Sequence, residues 1–434
     1  MSKDAQVQRL GVAGAVCLLG FALYATLSVM MWRGFISPSW DLGIFTQLAD
    51  QYAHFRAPVV NIKGDGYNLL GDHFHPILIL LGPIFRIFPS GLTLLIIQSA
   101  LFALSAWPLT RLALERFGMT GGSLLGASYI LSWGFINAVW SQFHEIAFAV
   151  PLIAFGLVWW MRDKRIHAAV AIGLLVFVKE DLGLTVLMFG LAVLLKDRKD
   201  WQWATGFATW GILWFVLTVK VILPALNPMG QYDYTDNVSV AETLTQSVDT
   251  KFAVVCVLVL AAGVIGIKSP FMLMMLPTLA WRFVGNVEYY WGFDFHYSAV
   301  LIPIAVASMI DAAPRRFFKL APAVALVTAC AMFAQSQINL LWKYDRYASP
   351  SAQSAIEVAS EYDTVATDIY LLAYTVPHTN TYWFGTIGDV QPDAVLFNTT
   401  KTDYSPESWA QSKYGGVWNI VFDDGTYKVA ARQE

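Results

Sequence analysis

The chain has 434 residues, of which 56% are hydrophobic and only 14% are charged. Soluble domains carry about a quarter charged residues, so this composition indicates that lipid surrounds much of the protein. The formal net charge is −3 and no basic patch stands out, which argues against a nucleic-acid-binding protein. The three cysteines lie far apart in apolar runs, a pattern that predicts neither a disulfide nor a metal site.

Long apolar segments recur along the first three quarters of the chain. A helix needs about 20 apolar residues to cross the hydrocarbon layer, and by that rule the sequence predicts about eleven spans. The first, from about Leu10 to Trp32, is longer than the core of a signal peptide and is expected to be retained. The predicted spans are 10–32, 92–110, 121–140, 146–161, 166–178, 182–195, 201–224, 252–267, 270–284, 297–311 and 320–341.

Two neighbouring segments are too short to be full crossings. Residues 166–178 and 182–195 are separated by the charged tripeptide Lys179-Glu180-Asp181. This arrangement predicts two helices that meet at a polar apex in the outer half of the membrane. Such an apex is tolerated only where protein or a wet cavity surrounds it.

The positive-inside rule gives the expected orientation. With the N-terminus in the cytoplasm, alternate connections should be basic, and they are. The opposite connections carry most of the acids and nearly all of the histidines. We therefore expect a multi-pass plasma-membrane protein whose C-terminal domain lies outside. The basic residues are Arg111, Arg116, Arg162, Lys164, Arg165, Lys196, Arg198, Lys199, Lys268, Arg315, Arg316 and Lys319.

The first outer loop, about 33–91, is unusually long. Residues 41–55 have helical periodicity, and 76–88 form an apolar run of interfacial rather than spanning length. The loop is therefore predicted to hold two helices that lie along the outer membrane surface.

The composition becomes that of a soluble domain near Trp342. We therefore expect a transmembrane domain over 1–341 and a small extracytoplasmic α/β domain over 342–434. This second domain has no nucleotide-binding or metal-binding motif, which favours an accessory or acceptor-recognition role. Its predicted elements are strands at 364–367, 381–384 and 394–397, a helix at 406–413, and a hairpin that pairs 418–422 with 427–431.

Ionisable side chains are costly at membrane depth, so they are usually paired or functional. Here they gather in the predicted outer connections, and one shared polar cavity is the simplest explanation. They are Asp41, Asp72, His73, His75, His144, Glu145, Lys179, Glu180, Asp181, Arg282, Glu288, Asp294 and His296.

Structural explanations remain open for these groups. Asp41 could cap the helix that follows it, and Lys179 with Glu180 could be a self-neutralising pair at a helix break. Arg282 could extend to the interface. His73 and His75 could bind a metal, although interfacial histidines more often serve as plain hydrogen-bonding groups.

Short motifs along essentially the whole chain resemble a polytopic membrane family, domain of unknown function 2079. His75 departs from the family pattern, in which a small residue is expected. The motifs are Trp40-Asp41-Leu42-Gly43-Ile44-Phe45, His73-Phe74-His75-Pro76-Ile77-Leu78, Phe143-His144-Glu145, Lys179-Glu180-Asp181-Leu182-Gly183-Leu184 and Phe295-His296-Tyr297.

That family in turn resembles the C-type glycosyltransferases. The resemblance implies an inverting enzyme with an outer-face active site that uses a polyprenyl-phosphate sugar as donor. A cell-envelope glycan, lipid or protein would be the acceptor. A divalent cation is left open, because some such enzymes need one and others do not. The first loop lacks a clear Asp-x-Asp motif, which argues against a cation.

The resemblance also implies roles for individual residues. Asp41 is the expected catalytic base, with Asp72 and Glu145 as further catalytic candidates. Lys179, Arg282 and His296 are candidates for the departing phosphate. The full set of expected substrate-binding residues is His73, His75, His144, Lys179, Glu180, Arg282, His296 and Tyr297.

Two other functions remain possible on the sequence. A broken helix with intramembrane charges also suits a transporter or a translocase of a lipid-linked or small polar substrate. The fold could also be retained by an inactive scaffold in envelope assembly.

Overall fold

The computed structural model describes residues 3–36, 40–232, 243, 245–314, 319–336 and 349–433. It is mostly helical and ends in a small sheet domain. In chain order the helices before that domain are α1 (Lys3–Gly34), α2 (Trp40–Ala53), α3 (Leu81–Ile87), α4 (Gly91–Ile130), α5 (Trp133–Trp140), α6 (Ala149–Met161), α7 (Arg165–Gly173), α8 (Leu182–Lys196), α9 (Trp201–Leu217), α10 (Leu223–Leu226), α11 (Val248–Ala261), α12 (Leu276–Val284), α13 (Leu301–Ala312) and α14 (Leu320–Ala334).

Three helical stretches of the described chain are long and apolar enough to cross a membrane, namely Lys3–Gly34, Gly91–Trp140 and Arg198–Leu226. The remaining apolar helices, such as α8 and α14, are shorter. The expectation of about eleven spans is therefore not confirmed, although every predicted apolar segment coincides with helical structure. The end of the last predicted span and the expected domain boundary at 341/342 lie outside the described residues.

The second and third predicted spans differ most from expectation. Helix α4 continues through the connection predicted between 110 and 121, with a break at Gly118, whose φ is +73°. Glycine adopts this left-handed conformation without the strain that a side chain would cause. The predicted span 121–140 is itself broken at Ser132, which has extended backbone dihedrals.

The break at the charged tripeptide is confirmed, whereas its place in the outer half of the membrane stays a prediction. Helix α7 ends at Gly173, a 3₁₀ turn follows over Leu174–Phe177, and α8 begins at Leu182. Lys179, Glu180 and Asp181 therefore lie between the two helices, as the sequence predicted.

The long first loop, which is predicted to lie outside, contains both predicted helical segments. The first is α2, and the second is a 3₁₀ turn over Pro76–Leu80 that leads into α3. Side chains of the second segment, including Ile79, Leu80 and Ile87, are exposed apolar groups. An exposed apolar face of this length suits the surface of a bilayer.

Basic connections meet at the far end of the bundle from the apex. Arg162 Nη2 lies 2.6 Å from Glu115 Oε2, and Lys196 forms an ion pair with Asp311. Helices α6 and α8 both run from the apex end to this basic end. The two ends are thus chemically distinct, as the positive-inside pattern requires; Arg315 and Arg316 lie outside the described residues.

The C-terminal unit confirms the predicted α/β domain. Its sheet has the order β2-β1-β3-β5-β4, in which β1 is parallel to β2 and β3 while β5 is antiparallel to β3 and β4. The sequence missed the first two of its helices. The elements are α15 (Pro350–Ala359), β1 (Thr364–Thr367), α16 (Leu372–Thr375), β2 (Asn380–Trp383), β3 (Ala394–Asn398), α17 (Pro406–Tyr414), β4 (Trp418–Asp423) and β5 (Tyr427–Arg432).

This domain packs directly on α2. The buried side chain of Gln47 donates to the carbonyl of Thr381 at 3.0 Å and accepts from the backbone N–H of Ile62, also at 3.0 Å. Leu372 and Ala373 join the hydrophobic cluster that surrounds α2. Because a buried amide with both ends bonded has one favourable geometry, Gln47 fixes the domain against the first outer loop.

We predict opposite effects of two glycine-to-alanine substitutions in helices. A Cβ at Gly43 would lie 2.7 Å from Leu372 Cβ, so Gly43→Ala should overpack the domain contact and destabilise by about 1–3 kcal/mol. Gly206 in α9 has no such neighbour within 4 Å, so Gly206→Ala should be neutral or stabilise by about 0.5–1 kcal/mol. Thermal unfolding in detergent compares the two variants, and equal midpoints would contradict this packing.

Candidate active site

Asp41 stands at the first turn of α2, and its side chain is 49% exposed. His144 is 7% exposed and places Nε2 at 3.4 Å from Asp41 Oδ2. The ring of His144 stacks on that of His296, with the ring centroids 3.6 Å apart. An accessible carboxylate is thus held beside two imidazoles that come from different connections.

Lys179 and Glu145 form a buried ion pair. Lys179 Nζ donates to Glu145 Oε1 at 2.8 Å, and the two side chains are 15% and 2% exposed. Removing either partner alone would leave an uncompensated charge in the interior. The pair ties the apex between α7 and α8 to the start of α6.

Glu180 contacts the first loop, through His73 and Phe74. Its Oε1 lies 2.7 Å from His73 Nδ1, and its Oε2 accepts from the backbone N–H of Phe74 at 3.1 Å. The hydroxyl of Tyr232 also donates to Oε1 at 3.2 Å. Burial and Lys179 lower the pKa of His73, but the Glu180 carboxylate outweighs both and leaves that pKa raised. The Glu180 carboxylate therefore favours the charged form of the His73 imidazole.

The other two candidates on the first loop are buried. His75 is 1% exposed, its ring lies against Phe45, and its Nδ1 has no hydrogen-bond partner among the described residues. Burial lowers the pKa of His75 to about 4, which keeps its imidazole neutral at pH 7. Asp72 Oδ2 accepts from Lys63 Nζ at 3.0 Å.

Arg282 is fully buried and supports a loop. Its guanidinium donates to the carbonyls of Tyr290 at 2.8 Å and Gly292 at 2.6 Å, and to the hydroxyl of Ser298 at 3.2 Å. These bonds shape the connection between α12 and α13 that carries His296. The bonds therefore indicate that Arg282 positions this connection. The expected contact of Arg282 with a phosphate stays a prediction.

A narrow cavity opens beside this cluster. Its polar lining comes from the apex, from α12 and from the last outer connection. Tyr297 forms edge contacts there with Trp281, at 5.6 Å between ring centroids. The lining residues are Ile146, Lys179, Asp181, Leu182, Thr278, Trp281, His296, Tyr297 and Val300.

Gln98 of α4 is a member of the site that the sequence analysis missed. It is fully buried, accepts from the backbone N–H of His144 at 3.1 Å, and donates to the carbonyls of Ala138 and Gln142. Gln98 thereby holds the turn that presents His144. An isolated amide inside a predicted span is the signal that could have identified it.

The arrangement offers groups for proton transfer and for anion binding. Asp41 is accessible and acidic, whereas Lys179 and the imidazole of His296 border the cavity. Across the described part of the chain, no group of three or more His, Cys, Asp or Glu residues is arranged to hold a metal ion.

Comparison with known proteins supports the fold. No curated protein sequence matches the chain. Among solved structures it is similar to ArnT from Cupriavidus metallidurans in the apo state, with a TM-score of 0.58 and 12% identity over 98% of both chains. At that identity the likeness shows the fold alone, which is an ArnT-like fold.

The family assignment rests on sequence. Residues 33–367 match the family described as "Predicted membrane protein (DUF2079)", and the apolar helices agree with that membrane location. The match includes Asp41, the apex and the last outer connection. Since it covers well over half of the residues, the chain belongs to the DUF2079 family of membrane proteins.

Proposed function

We propose that the protein is a membrane glycosyltransferase that moves a sugar from a polyprenyl-phosphate donor to an acceptor hydroxyl at the outer face. The observation that carries the proposal is the half-exposed Asp41 carboxylate beside His144, within a fold of the C-type glycosyltransferase kind. The acceptor is a glycan, lipid or protein of the cell envelope.

The proposed reaction is a single displacement with inversion. The acceptor oxygen attacks the anomeric carbon, and a new glycosidic C–O bond forms as the C–O bond to the phosphate breaks. Asp41 takes the proton from the acceptor hydroxyl, and polyprenyl phosphate leaves with the bonding electrons. His144 holds the Asp41 carboxylate in position.

Asp41 suits the role of base better than the other two carboxylates. Glu145 is 2% exposed and already paired with Lys179, and Asp72 is paired with Lys63. A general base must come within hydrogen-bond distance of the proton that it removes, which requires access from outside. Of the three side chains, only that of Asp41 is about half exposed.

Lys179 is the proposed ligand of the departing phosphate. It lines the cavity, and its ammonium is held by Glu145. A cation fixed in advance stabilises charge that develops in the transition state without reorganisation. His296 lines the same cavity and can donate a second hydrogen bond to the phosphate.

The C-terminal domain is proposed to recognise the acceptor. It packs on α2, the helix that begins beside Asp41, and the ring of Trp383 lies 4.8 Å from that of Trp40. The acceptor can therefore contact this domain while its hydroxyl reaches Asp41.

We predict that Asp41→Asn lowers turnover by about 10²–10⁴-fold, because the amide cannot accept the acceptor proton. The assay measures release of polyprenyl phosphate from a panel of labelled polyprenyl-phosphate sugars. Asp50→Asn is the matched control, since Asp50 lies on the same helix and pairs with His54. Wild-type turnover in Asp41→Asn would remove Asp41 from the mechanism, and uptake into vesicles without cleavage would favour a transporter.

A second prediction separates the structural and functional roles of Lys179. Lys179→Met should destabilise by about 3–5 kcal/mol, because Glu145 is left buried and unpaired. The double variant Lys179→Met/Glu145→Gln removes both charges and should recover most of that stability but not the donor affinity. Unfolding midpoints and KM for the donor are the readouts. A wild-type KM in the double variant would show that the pair is only structural.

A further inference from the structure

Asp181 presents one carboxylate oxygen that the described structure does not satisfy. Its Oδ2 accepts from the indole N–H of Trp281 at 3.0 Å. Its Oδ1 is buried and has no hydrogen-bond partner among the described residues. Asp181 also lines the cavity beside the apex, so this unpaired acceptor belongs to a residue of the cavity wall.

The same wall has a second unpaired group. His296 lines the cavity, and its Nδ1 is buried with no hydrogen-bond partner in the described part of the chain. A buried polar atom without a partner destabilises the folded state. Two such atoms at one cavity indicate a place that a polar ligand group completes.

The position of the cavity relates it to the reaction centre. The ring of His296 stacks on His144, which contacts Asp41. Lys179, the proposed phosphate ligand, lines the cavity as well. A group seated there would therefore belong to the part of the donor nearest the phosphate, which is the transferred sugar.

We propose that this cavity is a specificity pocket for one hydroxyl group of the transferred sugar, with Asp181 Oδ1 as its hydrogen-bond acceptor. The proposal rests on the glycosyl transfer proposed above and adds a selecting residue to it. Trp281 fixes the carboxylate by binding Oδ2, so that Oδ1 keeps one direction.

The lining favours a hydroxyl over an anionic substituent. An ionised sugar carboxylate has no hydrogen to donate to Asp181 Oδ1 and would be repelled by that carboxylate. The rings of Trp281 and Tyr297 add apolar surface that suits the C–H groups around a hydroxyl. The narrowness of the cavity fits a single substituent rather than a whole sugar ring.

This pocket should discriminate strongly against donors that lack the hydroxyl. A site built to bind a hydroxyl rejects the analogue without it, because the buried polar groups of the site are then left unpaired. The test uses purified wild-type protein and the polyprenyl-phosphate sugar that it turns over best, together with the monodeoxy analogues of that donor.

In the wild type we expect one monodeoxy analogue to lose about 100-fold or more in kcat/KM. Asp181→Asn keeps an acceptor for Trp281 but replaces the other oxygen by an amide N–H₂ group. This variant should raise KM for the parent donor by roughly 10–100-fold, with a smaller change in kcat. It should also make the kcat/KM values of the parent and deoxy donors nearly equal. Asp249→Asn, at an exposed position in the first turn of α11, is the control.

The deoxy series and the variant distinguish failure of the pocket from failure of the proposed glycosyl transfer. Turnover with no discrimination among deoxy donors, or wild-type discrimination in Asp181→Asn, overturns the pocket and leaves glycosyl transfer intact. Absence of turnover with every donor overturns the glycosyl transfer and the pocket together. The deoxy series on the wild type needs no variant, so it can still overturn the pocket if Asp181→Asn fails to fold.

Discussion

A charge buried in a helix bundle must be paired, and the apex end of this protein depends on that constraint. Lys179 is paired with Glu145, and His73 with Glu180. The partners in these pairs are 34 and 107 residues apart in sequence. Each pair therefore fixes one connection against another, and together they build a polar wall from segments that have no local reason to meet.

The remaining members of the cluster follow from that wall. Because Glu145 and Glu180 are engaged with cations, Asp41 is the carboxylate that stays both accessible and close to an imidazole. Gln98 and Arg282 hold the backbone on either side of the two stacked histidines, His144 and His296. The C-terminal domain, which packs on α2 through Gln47, braces the helix that carries Asp41.

Local features of the sequence predicted local features of the structure. Apolar periodicity located the helices, the tripeptide at 179–181 located the apex, and the alternation of 418–422 and 427–431 located the hairpin. Charge bias along the chain placed the acids and histidines in one group of connections. These signals depend on neighbouring residues alone, so a single sequence contains them.

These local signals could not predict tertiary contacts. The bond from Gln47 to Thr381 joins residues 334 positions apart, and nothing near either residue marks the other as its partner. The burial of Arg282, which the sequence placed at the phosphate, depends on how the last outer connection folds over it. The number of full crossings is not confirmed, and the helices of two predicted spans are broken at Gly118 and Ser132, which gives α4 and α5 other bounds than predicted.

The most direct test of this account is a structure of the protein in a lipid nanodisc with a polyprenyl-phosphonate sugar, an analogue that cannot be cleaved. The account predicts a phosphonate within hydrogen-bond distance of Lys179 and an anomeric carbon that faces Asp41. An analogue bound between helices at mid-depth, or away from Asp41 and Lys179, would contradict it.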